Sequence, residues 1–213
     1  MKHIRTSNAL FSALALSFLL LLSSCKKDKD KPQPQNEPAT GTVTINGKDY
    51  PTRKIGDRTW TLTNYDGPGG LPFGTGTEHP EYGRYYTKDE VEALQLPQGW
   101  RIPTAEDYRQ LCLSQGVVFV SNLRATAQPA IKKLVSQTQW RKVNGSNETG
   151  FNAYPANYMF QNGQPIPGDI AEFWTSEGVT ISFMEGADGA THNIHFYDSN
   201  QPGYRFNLRL VKD

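Results

Sequence analysis

Turn-forming pairs cut this chain into short pieces. Asn46-Gly47 and Gly56-Asp57 come early, and Asn144-Gly145, Asn162-Gly163, Pro167-Gly168, Asp188-Gly189 and Pro202-Gly203 punctuate the second half. Glycine and asparagine accept the left-handed backbone of tight turns and proline presets one turn dihedral, so each pair ends an element rather than lying inside one. Thr42-Val43-Thr44-Ile45 alternates with period two, meets Asn46-Gly47 and returns as Lys48-Asp49-Tyr50, the strongest short-range hairpin signal. Arg53-Lys54-Ile55 and Arg58-Thr59-Trp60-Thr61-Leu62 flank the next turn. A small antiparallel sheet is therefore expected at the start and short aromatic strands after Trp140. The alternation of Tyr204 to Val211 predicts an interior or paired strand.

Between these regions the pattern turns helical. Thr87 and Glu90 form a capping box over a short helix with Val91 and Leu94 inward, which stops before Pro97. Thr104 caps a second helix, with Glu106 and Asp107 in the first turn, where carboxylates suit the helix dipole, and Tyr108, Leu111 and Cys112 on one face. A third is expected over Ala130 to Val135, after Pro129. Helices early and strands late predict an α+β fold. The glycine-rich run from Gly67 reads as a plain loop, since no strand leads tightly into it and no helix with a lysine follows.

Only part of the chain is available to that fold. Lys2, His3 and Arg5 form a basic tip ahead of an apolar run of fourteen residues, Ala9 to Leu22, broken only by Ser12 and Ser17. A spanning helix needs about 20 apolar residues, so the segment reads as a signal peptide. It closes in Leu22-Ser23-Ser24-Cys25, the small residues and cysteine of lipoprotein processing. Residues 1–24 are expected to be removed and Cys25 to carry a diacylglyceryl group, with its new amine acylated by a chain such as palmitate. Each buried methylene contributes about 0.8 kcal/mol, and stable anchoring takes more than one acyl chain. Residues 25–41 then form a solvated spacer, Lys-Asp alternation followed by Pro32, Pro34 and Pro38. The folded domain is residues 42–213, large enough to bury about 70% of its unfolded surface without staples.

The whole chain has 22 basic and 21 acidic residues; loss of Lys2 and Arg5 leaves a near-neutral protein. That balance excludes the basic stripe of a nucleic-acid binder. Cys112 is the only cysteine besides Cys25, so no internal disulfide forms once Cys25 is lipidated. Cys112 shares the helix face of Tyr108 and reads as a small core residue.

Several separated strings resemble one family. Gly83-Arg84-Tyr85-Tyr86, Pro97-Gln98-Gly99-Trp100-Arg101-Ile102-Pro103-Thr104 with Asp107, Tyr108 and Leu111, Ala130 to Leu134 with Trp140, Thr149-Gly150-Phe151-Asn152-Ala153-Tyr154-Pro155-Ala156, Phe173-Trp174-Thr175-Ser176 and Asn207-Leu208-Arg209-Leu210-Val211-Lys212-Asp213 occur in the order of the "major paralogous domain" family of bacterial surface proteins, FISUMP. The resemblance implies a C-type-lectin-like fold related to the formylglycine-generating enzymes, with two or three short helices flanking a twisted antiparallel sheet and long loops. The family often carries cysteines where this chain has Leu96 and Leu210, which implies that the two leucines touch.

The candidate sites are few. His192 and His195 are three apart, but in a strand they face opposite ways, and no third ligand accompanies them. Glu185 and Asp188 flank glycines in an acidic turn that lacks the dense spacing of a calcium loop. Trp100, Trp140 and Trp174 lie beside apolar residues and read as core. Tyr158, Phe160 and Tyr197, in loop-rich stretches, are the candidate ligand contacts, with His192 beside them. No Gly-x-Ser-x-Gly elbow, His-Glu-x-x-His or paired thiols are present, and neither a metal nor another cofactor is expected. The expected function is a lipid-anchored envelope module for adhesion or for binding a glycan or surface protein, placed in the outer membrane with its domain on either the periplasmic or the extracellular face. The alternatives are an envelope enzyme acting on polysaccharide, with Glu172 and Glu177 around Trp174 as acid and base, and a structural subunit of a surface assembly, recognisable by an exposed sheet edge.

Overall fold

In the computed structural model the described residues are 40–160, 162–163, 169–198 and 203–213. The expected signal peptide over residues 1–24, Cys25, most of the expected spacer, Pro167-Gly168 and Pro202 lie outside them. Asn46 and Gly47 both take positive φ, 51° and 77°, closing a two-residue hairpin between β1 (Gly41–Ile45) and β2 (Lys48–Ile55) in which Ile45 faces Lys48. Gly56, at φ 62°, turns β2 into β3 (Arg58–Thr61).

β4 (Leu71–Pro72) and β5 (Arg84–Tyr85) form a small ribbon. α1 (Lys88–Glu92) starts at Thr87, whose hydroxyl accepts from the Glu90 amide while the Glu90 carboxylate accepts from the Thr87 amide. β6 (Trp100–Arg101) follows, and Thr104 and Asp107 make the same reciprocal cap on α2 (Ala105–Ser114). β7 (Arg124–Gln128), β8 (Ile170–Trp174), β9 (Thr180–Glu185), β10 (His192–Tyr197) and β11 (Val211–Lys212) complete the set. They build a five-stranded sheet in the order β1-β2-β3-β11-β6 and a four-stranded sheet in the order β7-β10-β9-β8. All pairings within both sheets are antiparallel. With two short α-helices beside these sheets the protein is α+β. Among the described residues no helix is long and apolar enough to cross a membrane.

Two expectations need correction. The helix expected over Ala130 to Val135 is a 3-10 turn, Pro129–Lys133. The carbonyls of Lys132 and Lys133 accept from the crossing backbone of Ser146, Asn147 and Thr149, so they are not available to continue a helix. The expected strand from Tyr204 to Val211 is regular only at its end. Arg205, Phe206 and Asn207 each make a single bridge, to Met159, Tyr86 and Phe173 in turn, because this segment threads between three elements instead of lying along one.

One core cluster gathers Trp60 of β3, Tyr108, Leu111 and Cys112 of α2, Phe151, and the inward residues Phe173, Ile181, Phe183, Ile194 and Phe196 of the four-stranded sheet. Each such side chain contributes about 1.5–3 kcal/mol on burial. Cys112 is wholly buried, and burial pushes its thiol well above the usual range, so it packs as a small apolar group. Trp140 and Trp174 are buried and Trp100 is half-buried. A second cluster around Tyr65, Tyr86, Trp174 and Phe206 includes Leu210, with Leu96 packed against it.

Candidate functional site

Alternation along β8, β9 and β10 sorts their residues onto two faces. Ala171, Phe183 and Ile194 lie in one cross-strand row and Phe173, Ile181 and Phe196 in another, and these rows face the core. On the opposite face, Glu172, Ser182 and His195 are register partners, flanked by the rows Trp174-Thr180-Tyr197 and Ile170-Met184-Asn193. This second face is roofed by two crossing segments. Met159 bridges Arg205, Asn157 bridges Ala171, and the Tyr158 ring packs on Tyr204 and Phe206 at centroid distances of 5.9 and 5.5 Å. Trp174 closes one end, its ring edge-on to Phe206 at 4.7 Å and its indole N–H donating to the Tyr86 carbonyl at 2.7 Å.

Sheet and roof enclose a cleft of about 260 Å³ lined by Tyr158, Ile170, Glu172, Ser182, Met184, Tyr197, Tyr204 and Phe206. Its floor is acidic and its walls are aromatic. Glu172 is 5% exposed; the Thr180 hydroxyl donates to its carboxyl at 2.6 Å. Burial raises this carboxyl to about 7, with the Thr180 hydrogen bond working against the rise. The buried Ser182 hydroxyl beside it is close enough to pull the carboxyl down as well, although its geometry falls short of a well-formed hydrogen bond. Burial raises the Tyr158 and Tyr197 phenols too, and the charge on Glu172 adds to both shifts. An ionised carboxylate accepts at about four positions, so Glu172 keeps hydrogen-bonding capacity beyond the Thr180 and Ser182 hydroxyls.

The candidate residues divide accordingly. Tyr158 and Tyr197 meet in the cleft. Phe160 is 43% exposed and packs edge-on against Tyr158 and Tyr204, outside the lining. His192 does not join them. It lies on the core face of β10, wholly buried, with its ring 4.6 Å from Trp140; burial lowers it to about 4, which leaves the imidazole neutral at ordinary pH. The strand period places His195, not His192, on the face of Tyr197.

Glu172 and Glu177 are not brought together. Glu177 accepts from the Ala105 amide at the start of α2, at 3.1 and 3.3 Å, and lines two neighbouring clefts of about 500 and 470 Å³. Ser182 lies between Glu172 and His195 in register, and among the described residues no hydrogen bond joins its hydroxyl to the imidazole. In the acidic turn, Glu185 accepts from the amides of Lys142 and Val143, and Asp188 from those of Ala190 and Thr191. Ile170, Ser182, Met184, Tyr204 and Phe206 line the cleft without having stood out in the sequence. The available signal was a single polar residue between two apolar neighbours, Glu172 between Ala171 and Phe173 and Ser182 between Ile181 and Phe183.

Comparison with known proteins supplies one finding. Residues 72–212 match the family described as the Fibrobacter succinogenes major domain. No curated protein and no solved structure matches the chain.

Proposed function

Because this chain belongs to the Fibrobacter succinogenes major domain family, we propose that it is a lipid-anchored binding module of the bacterial cell envelope, which holds a glycan or protein ligand in the cleft over β8, β9 and β10. The observation that carries this reading is the pairing of a buried polar floor, Glu172 and Ser182, with aromatic walls from Tyr158, Tyr197 and Tyr204. Few convergent polar groups among aromatic side chains are the usual make-up of a ligand site. The proposed fold is C-type-lectin-like, with β8 to β10 and the segments crossing them as its ligand-bearing face. The proposed placement is the outer membrane with the domain at the surface, through acyl groups on Cys25 and the charged, proline-containing spacer.

The near-neutral Glu172 carboxyl also suits a general acid, which favours a polysaccharide-cleaving enzyme as a second reading. Canonical glycosidases need a second carboxyl about 5–9.5 Å away across the bond, and Glu177 lines other clefts. One experiment tests both. Glycan and protein arrays probed with the mature chain are expected to give hits that Tyr197→Ala weakens at least about tenfold, with no cleavage products from the bound glycans. Cleavage would support the enzyme, and an array without hits would reject the module. Mass spectrometry of the membrane-extracted protein is expected to find acylated Cys25 at its N-terminus.

A further inference from the structure

We propose that the cleft selects a ligand carrying a cationic amine, whose ammonium group sits between the Glu172 carboxyl and the Ser182 hydroxyl under the ring of Tyr197. This rests on the cleft being the ligand site and names the chemistry it recognises.

The charge balance of the cleft is the first argument. Among the described residues its lining holds one carboxyl and no lysine or arginine. Every acid found in an ion pair among the described residues lies elsewhere, so Glu172 is a buried acid with no counter-ion among them. Two basic groups stand further along its row: His195 on β10, and Arg124, which faces His195 from β7. Neither lines the cleft. A buried carboxylate is costly unless paired, and a cation delivered by the ligand removes that cost.

Hydrogen-bond capacity is the second argument. An ionised carboxylate accepts at about four positions, and an ammonium offers three donors. Thr180 supplies Glu172 with one hydroxyl donor and Ser182 stands beside the carboxyl as a second, which leaves acceptor positions on the carboxylate and the lone pairs of the Ser182 oxygen open. An ammonium donates to both. A neutral sugar hydroxyl can serve the pair only by donating to Glu172 while accepting from Ser182, and it brings no charge to the carboxylate. The walls add a third argument, since aromatic faces attract a cation within about 6 Å of their centres, and Tyr158 and Tyr197 both sense the charge of Glu172.

The test is calorimetric titration of the purified full chain with glucosamine, N-acetylglucosamine and glucose, which differ only at one substituent, and with methylammonium chloride as the minimal cation. Glucosamine is expected to bind at least tenfold more tightly than either neutral sugar. Glu172→Gln is expected to abolish that preference while changing the neutral sugars less than twofold. Should Glu172→Gln fail to fold, Ser182→Ala serves instead and is expected to weaken glucosamine three- to tenfold. Equal affinity for amine and neutral sugars, or a preference that survives both substitutions, overturns amine selection and leaves the cleft as a binding site. If none of the four probes binds, and Tyr197→Ala also leaves the array hits unchanged, the cleft reading and the amine proposal fall together.

Discussion

Asp107 and Glu172 are both buried acids that respond to pH in opposite directions. Burial alone would raise the Asp107 carboxyl, but hydrogen bonds from Arg101 and from the Thr104 amide and hydroxyl hold it down at about 2, with Arg58 a further 2.7 Å neighbour. Its folded value lies below the ordinary one of about 3.9, so its contribution to stability is complete above pH 4 and disappears as pH falls toward 2. Glu172 has the reverse sign. Its folded carboxyl, near 7, keeps its proton after the unfolded chain has lost it near 4.3, so stability falls as pH rises from about 4 to 7, by about 3 kcal/mol. The ligand-free protein is therefore expected to be most stable near pH 4 to 5. Urea midpoints taken at pH 3, 4.5 and 8 check this, and Glu172→Gln should flatten the decline between the last two while leaving the acid limb intact. An ammonium ligand should offset the same decline in the wild-type protein.

The segments leading into β6 and β11 carry a test of the contact expected between Leu96 and Leu210. The two strands pair antiparallel, Val211 with Arg101, and Leu210, fully buried, belongs to the cluster against which Leu96 packs. Leu210→Ala is expected to cost about 2–4 kcal/mol and Leu96→Ala about 1 kcal/mol. A double-mutant cycle should return a coupling above about 0.5 kcal/mol if the two side chains touch, and simple additivity would show that they do not. The elements most legible in the sequence were those written locally. Asn46-Gly47 specifies its hairpin through two positive φ angles, and the Thr-x-x-acid pattern specifies both helix starts, because each depends on residues three or four apart. Arg209 was not legible in this way. It is wholly buried, donating to Asn64, Thr61 and Asn152 and lying 4.7 Å from the centre of the Phe151 ring, partners from two distant segments that no short window contains. The cleft was half legible. Tyr158 and Tyr197 could be picked out as aromatics in loop-rich sequence, whereas the choice between His192 and His195 required knowing which face of β10 meets the core, and Tyr204 required the crossing of two irregular segments.

Taken as one body, the domain is held together by contacts between remote parts of the chain. β11 lies in the five-stranded sheet between β3 and β6; the Leu210 amide donates to the Thr61 hydroxyl across 149 residues, and Asp213 binds both Arg58 and Arg101. Such non-local pairing makes for slow folding. Removing residues 211–213 is expected to abolish the cooperative unfolding transition rather than merely lower its midpoint, as circular dichroism during heating would record. Val211 is wholly buried and β3 would lose its partner. The position of β11 also bears on how copies interfere with one another. A ribosome delivers β3 roughly 150 residues ahead of the strand that covers it, and in the interval its bare edge is a template for whichever matching strand arrives first. In a crowded synthesis compartment that strand can come from a neighbouring copy, so exchanged dimers, each sheet closed by the other's tail, are the characteristic assembly error of this architecture under heavy overexpression.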